Sequence, residues 1–180
     1  MVMAQERAGG GAVEQALQAI SSPSLREILL YWDSLRRDRL LPGWRDVEPL
    51  DLRRHLSIIW AWKYDRAADL FTGRLAGESI TAVFGESLRN RSLEEFFKDR
   101  SYEDIREQFH RVVDEPAIYV GCGAVFDYAG HYGTGERIIM PLADNGRDAD
   151  GLIGATTYAL GNAGDPANPQ FQEQIQFFPL

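Results

Sequence analysis

The spacing of apolar positions changes several times along the chain, and each change marks an element. Leu25, Ile28, Leu29, Trp32 and Leu35 recur at helical spacing, while Arg26, Asp33, Arg36 and Arg37 fill the opposite face. Ser22-Pro23-Ser24 precedes this stripe. Serine caps a helix, proline suits its first turn, and Ser24 with Glu27 has capping-box spacing. Pro42-Gly43 closes the segment, so the spacing predicts an amphipathic helix over 23–40. Pro49 to His55 reads as a short second helix. From Ser57 to Tyr64 the period drops to two, with Ile58, Trp60, Trp62 and Tyr64 on one side. Asp65 to Asp69 is a polar turn and Leu70 to Ala76 a second strand, which together predict a hairpin.

Helical spacing returns at Gly77 to Gly85, where Ile80, Val83 and Phe84 share a face and Gly85 suits the position past the end. Ser92-Leu93-Glu94-Glu95 has the capping-box pattern and opens a short helix bearing Phe96 and Phe97. Ser101 with Asp104 repeats that signature. Tyr102, Ile105, Phe109, Val112 and Val113 then mark a helix that stops before Pro116. Beyond it the chain is extended. Ala117 to Tyr128 is a strand in which Gly121 and Gly123 predict a bulge or the close approach of another group. Gly130 to Gly135 reads as a turn, and Glu136 to Ala143 and Leu152 to Gly161 as strands joined through Asp144-Asn145-Gly146. Three strands linked by tight turns run antiparallel, and the helices between strands two and three are the available cover. The expected fold class is α+β: a five-stranded antiparallel sheet covered by short helices, with an N-terminal amphipathic helix.

The expected boundaries are a flexible segment at 1–21, a domain at 22–162 and a tail at 163–180. Gly9-Gly10-Gly11 makes the first segment entropically expensive to order, and Val13, Leu17 and Ile20 offer only a marginal turn or two of helix. The tail is rich in Gly, Pro and Asn up to Pro169 and ends in Phe171, Ile175, Phe177, Phe178 and Leu180.

Composition narrows the function classes. A chain of 180 residues closes about one core. The net charge of −8 repels a nucleic-acid backbone or an anionic membrane, so neither is expected as a partner. The densest basic stretch, Arg36 to Arg39, is interrupted by Asp38 and reads as a solvated helix face. The single cysteine, Cys122, makes no intrachain disulfide, which fits a reducing interior. Met1 to Glu14 has no apolar run long enough for a signal peptide, and no stretch approaches the ~20 apolar residues of a membrane span. A cytoplasmic location is expected.

Several words then carry a resemblance. They are Leu41 to Leu56 (LPGWRDVEPLDLRRHL), Phe71 to Gly77 (FTGRLAG), Phe84-Gly85, Leu142 to Gly146 (LADNG) and Ile153-Gly154. In this order, over roughly 22–162, the chain resembles a PAS domain, and in particular the PAS-like subfamily of unknown function found mainly in alphaproteobacteria. That family usually has an aromatic two residues after Phe71, where this chain has Gly73. It often has a hydroxyl residue right after Gly77, where this chain has Glu78. Both positions adjoin the first cavity-lining helix, so a wider or more polar cavity is expected. The resemblance implies a sensory or regulatory domain that binds a small molecule, a regulatory protein partner, or both. It signals through protein contacts. A homodimer is expected, paired through the helix at 23–40 and the apolar tail at 171–180.

The candidate ligand-binding residues are Trp60, Trp62, Tyr64, Tyr119, Phe126 and Tyr158, which would line a cavity; the competing reading is plain core. Arg74 with Glu78 is the candidate polar pair, a buried guanidinium able to take a carboxylate; the competing reading is a surface ion pair. His110 lies at the edge of its helix's apolar stripe and reads as a solvated or capping residue. His55 and His131 have no acid or cysteine at metal-site spacing. Cys122 is expected to be a small buried core residue. Neither glycine-rich stretch has the spacing of a phosphate cradle. With no nucleophile beside a base and no metal cluster, no catalytic residue, no cofactor and no metal are expected. Two rival readings remain: an isomerase- or hydrolase-like enzyme on a cone-shaped α+β fold, which needs an acid deep in a cavity, and a haem- or flavin-bound sensor, which would be coloured.

Overall fold

The computed structural model describes residues 10–97, 102–128, 131–161 and 173–180. Helix α2 (Pro23–Arg36) starts as its sequence dictates: the Ser22 hydroxyl accepts from the Leu25 amide at 3.5 Å, and Leu25, Ile28, Leu29 and Trp32 are buried. It ends at Arg36 and not at 40, because Arg37 turns to a positive φ of 54°. Ahead of it, residues expected to be loosely held form helix α1 (Gly10–Ala19). Alone, ten residues are too few for a stable helix. Here Val13, Ala16 and Ile20 are buried in the common core, and that burial offsets the backbone entropy of the glycines. The corner between α1 and α2 is tied down twice. Arg26 donates to the carbonyls of Leu17 and Ile20, and the Glu136 carboxylate accepts from the amides of Ser21 (2.9 Å) and Ser22 (2.6 Å).

The sheet comprises β1 (Ile59–Asp65), β2 (Leu70–Ala76), β3 (Ala117–Tyr128), β4 (His131–Leu142), β5 (Gly151–Gly161) and β6 (Gln174–Pro179). The order is β2-β1-β5-β4-β3-β6, with every neighbouring pair antiparallel. Five strands were expected. The sixth comes from the apolar tail, whose Gln174 to Pro179 pair with Cys122 to Ala117; residues 163–172 of that tail lie outside the described residues. The expected turn at 130–135 is also revised: β4 runs from His131, and Gly133 and Gly135 lie within it. A Cβ on Gly135 would sit 1.9 Å from the Thr157 carbonyl, so the strand passes its neighbour there only as glycine. Of the two alternatives for the glycines of β3, Gly121 shows the close approach, since a Cβ there would sit 2.2 Å from the Glu173 carboxylate; the register shift falls beyond them, between Ala124 and Phe126.

Side chains alternate across the sheet, so register assigns its faces. Ile138 and Met140 share one face with Ala155, Ile153, Ile59 and Ala61, and α1 and α2 lie over it. Trp32 locks this layer by donating from Nε1 to the Pro141 carbonyl at 3.0 Å. Trp60, Trp62, Arg137, Ile139 and Tyr119 belong to the other face. That face is covered by α3 (Glu78–Phe84), α4 (Leu93–Phe97) and α5 (Tyr102–Val113). Covered on both sides, Gly151 to Thr156 of β5 are all buried. Pro49 to His55, expected as a short helix, is instead a run of turns. Its amides reach back three residues, Leu52 to Pro49 at 3.2 Å and His55 to Leu52 at 2.8 Å, and never start an α-helical ladder. None of the described helices is long and apolar enough to cross a membrane.

The segments 41–56 and 142–154 are bonded to each other. The Leu41 amide donates to Gly146 and the Ala143 amide to Pro42, at 3.0 and 2.9 Å. Trp44 donates from its backbone to Asp144 (3.1 Å) and from Nε1 to Asp150 (2.7 Å). A Cβ on Gly151 would meet the Trp44 ring at 2.2 Å. These residues hold the end of the sheet together, away from the cavity.

Candidate ligand site

A cavity of about 430 Å³ lies between the sheet and helices α3–α5. Its floor is Trp60 and Trp62, two residues apart on β1 and therefore side by side. The Trp60 ring stacks on Phe109 of α5, with centroids 5.9 Å apart; Trp62 meets Phe96 and Phe109 edge-on at 6.1 Å. Phe84 ends α3, where Gly85 takes φ 70° and stops the helix. Phe96 and Phe97 sit on α4, which is opened by a reciprocal capping box: the Ser92 amide donates to Glu95 at 3.0 Å and the Glu95 amide to the Ser92 hydroxyl at 3.1 Å. These three rings meet edge to face, and Phe84 also meets Phe126 of β3 at 5.6 Å. From α5, Asp104 and Gln108 face the space one helical turn apart.

The remaining wall is polar. Arg137 of β4 and Glu173, just before β6, line it together with Ile175. Their side chains are only 15% and 14% exposed, and Arg137 Nη1 lies 3.3 Å from Glu173 Oε2. Arg137 donates its second amino group to the Val125 carbonyl and its Nε to the Thr156 hydroxyl at 3.4 Å, and its guanidinium lies 5.4 Å from the Phe126 ring centre. Thr156 is fully buried and also accepts from Trp60 Nε1 at 2.9 Å. One hydroxyl thus fixes both the floor tryptophan and the buried guanidinium. The Tyr119 hydroxyl and Glu173 Oε1 are buried side by side over Gly121, without a hydrogen-bond partner of proper geometry. Burial above all, opposed by Arg137 and reinforced by Glu173, keeps the Tyr119 phenol protonated far above its usual range.

Of the expected ligand-binding residues, Trp60, Trp62 and Phe126 line the cavity. Tyr158 stands behind the wall, edge-on to Phe126 at 5.0 Å and donating to the Ser79 carbonyl at 2.7 Å. Tyr119 is buried core against Phe177. Tyr64 lies elsewhere, stacked on Phe71 at 4.4 Å and bonded to Asp69 at 3.1 Å. The Arg74 and Glu78 pair is not a cavity feature. Arg74 is the extra residue of a bulge opposite Ala61 and Trp62, and next to the buried Phe71 and Gly73 it takes the outward position of β2. It is exposed, 4.7 Å from the Trp44 ring centre, and Glu78 is exposed in the first turn of α3. Gly73 does not widen the cavity either. A Cβ there would sit 2.0 Å from the Leu88 carbonyl; the 88–91 loop is bonded to Gly73 by both its amide and its carbonyl, and Leu88 fills the wall.

Cys122 is exposed and not a core residue. It sits where β3 runs on between Glu136 and Gln174, a polar neighbourhood. His110 is outside the cavity lining, its ring nitrogens 2.9 Å from Asp114 and 3.1 Å from Asp69. His55 pairs with Glu27 at 2.9 Å. The side chain of His131 lies outside the described residues. Sequence reasoning missed Arg137, Glu173 and Thr156. Arg137 left one signal, a charge directly ahead of the apolar run Ile138-Ile139-Met140. Glu173 left none, because only the pairing of β6 with β3 brings it there.

Three comparisons bear on this architecture. A family model described as a PAS domain matches residues 20–157. No curated protein matches the chain. Among solved structures the chain is similar to VqmA bound to DPO, with a TM-score of 0.48 and 14% identity over 61% of this chain and 56% of that one. It is similar also to a Vibrio cholerae VqmA dimer solved in the absence of target DNA (TM-score 0.48, 14% identity, 61% and 49% covered) and to a VqmA–ligand–DNA complex from Vibrio cholerae (TM-score 0.47, 14% identity, 61% and 49% covered). The match spans about half the length of those chains.

Proposed function

Because this chain belongs to the PAS domain family, we propose that it is a sensory and regulatory domain that binds a small apolar molecule beneath α3–α5 and reports occupancy through a protein contact. The observation that carries this reading is the aromatic cavity of about 430 Å³. A well-packed core leaves few voids larger than a water, whereas ligand pockets run to roughly 300–1,000 Å³ and combine apolar walls with a few placed polar groups. The Arg137–Glu173 pair and the Asp104 and Gln108 face are such groups.

Native mass spectrometry of the chain purified from its own host tests the reading. The expected result is an added small mass that is lost on denaturation and absent from Ala124→Trp, because Ala124 lines the cavity and an indole there takes up its space. A native mass equal to that of the bare chain, with no apolar probe shifting its melting temperature, overturns the reading. Binding is favoured over turnover because the buried acid of the lining, Glu173, is held against Arg137, and the other, Asp104, is exposed to solvent.

The contact proposed for the output is a second copy of this chain. The apolar face of α2 is already committed to its own sheet, so pairing would use the outer side of the N-terminal helices, where Leu30 is 51% exposed. Light scattering across a concentration series checks this, and a strict monomer throughout would end the dimer proposal.

A further inference from the structure

We infer that the molecule taken by this cavity is an organic cation, a protonated or quaternary amine carried on an apolar body. The inference rests on the cavity being a ligand site, and three observations point to its charge. First, the walls are dominated by aromatic rings, Trp60, Trp62, Phe84, Phe96, Phe109 and Phe126 among them. Ring faces carry negative quadrupole potential and attract ammonium groups, most strongly where water is excluded. Second, the charged groups lining the space are two carboxylates, Asp104 and Glu173, against one guanidinium. That guanidinium is already engaged by Glu173, Val125 and Thr156, so it offers an incoming carboxylate little. A ligand anion would have to displace Glu173 and strand its charge in a mostly buried place. Asp104 stands in the first turn of α5, where it also favours the helix's positive end; it is exposed and lines the cavity from its solvent side. Third, the chain as a whole carries a net charge of −8, which raises the local concentration of cations around it.

The test uses three probes of one shape on the full chain at pH 7: phenylbutylamine, phenylbutyrate and phenylbutanol, which are cation, anion and neutral. Binding is measured by isothermal titration calorimetry. The amine is expected to bind tightest, about tenfold tighter than the acid, with the alcohol between them. Two variants assign the preference to named groups. Asp104→Asn weakens the amine more than the alcohol, so the ratio of their affinities narrows. Glu173→Gln weakens the amine and strengthens the acid, because Arg137 loses its counter-charge; the opposite movement of the two affinities separates this charge effect from a damaged cavity, which would weaken all three probes. If the alcohol binds and the amine binds no better, the inference falls while the ligand-site reading stands. If the acid binds tightest to the unmodified chain, Arg137 reads an anion and the inference falls. If none of the three binds, the ligand-site reading falls and takes the inference with it.

Discussion

Replacing Thr156 by valine should cost about 2 kcal/mol of stability while changing almost no volume. Thr156 is fully buried, and its hydroxyl accepts from Trp60 Nε1 at 2.9 Å and from Arg137 Nε at 3.4 Å. Valine keeps the shape and removes the acceptor. The Trp60 indole, only 7% exposed, then has a buried N–H with no partner, a penalty of about 1–3 kcal/mol. The Arg137 bond is long and adds little. At roughly 2–4 °C per kcal/mol for a domain of this size, the melting temperature should fall by about 4–8 °C. Calorimetry and urea titration would measure it, with the urea slope unchanged. Thr157→Val is the control, since that half-buried hydroxyl makes only a 3.5 Å contact to Glu136; it should stay within about 0.5 kcal/mol of the parent. Trp60→Phe removes the donor, so the double variant should be less destabilised than the sum of the singles by about 1 kcal/mol. A Thr156→Val chain as stable as its parent, or strictly additive with Trp60→Phe, would refute the claim that this hydroxyl organises the cavity floor.

Two further outcomes follow from the same geometry. Gly73→Ala should destabilise by roughly 2 kcal/mol or more, as an overpacking substitution, because its Cβ would sit 2.0 Å from the Leu88 carbonyl and push away the 88–91 loop; a urea midpoint equal to the parent's would show that the loop yields freely. Asp46 has its carboxyl below the usual range: burial works against this, and the Gly43 amide and Arg39 guanidinium, both at 2.7 Å, overcome it. A pKa depressed in the folded state stabilises above the unfolded value and loses that contribution as pH falls through the folded one. Asp46→Asn should therefore cost roughly 1 kcal/mol at pH 6 and progressively less below about pH 4, and a stability difference independent of pH would contradict the assignment.

What was legible in the chain was whatever local periodicity and termination signals dictate. Ser22, the Ser92–Glu95 box and Gly85 start or stop helices where expected, because capping is a matter of residues three or four apart. The β1–β2 hairpin and the inward side of Trp60 and Trp62 follow from a period of two. What misled was local reading of global matters. The glycines at 9–11 spoke for a loose N-terminus, but the face of α1 found a sheet to cover. Arg74 was expected as a buried guanidinium, but it lies exposed on the outer side of β2.

The sequence alone therefore determined the elements, their order, and the aromatic character of the cavity floor, since these depend on neighbours within a turn or a strand. Only the tertiary structure decided which charges the cavity contains. Arg137, Thr156 and Glu173 lie on β4, on β5 and before β6, and they meet because strand register places Arg137 beside both Thr156 and Gly121 while β6 returns along β3. Register is set by the cooperative burial of both sheet faces under five helices, a property of the whole chain that no window of neighbouring residues contains.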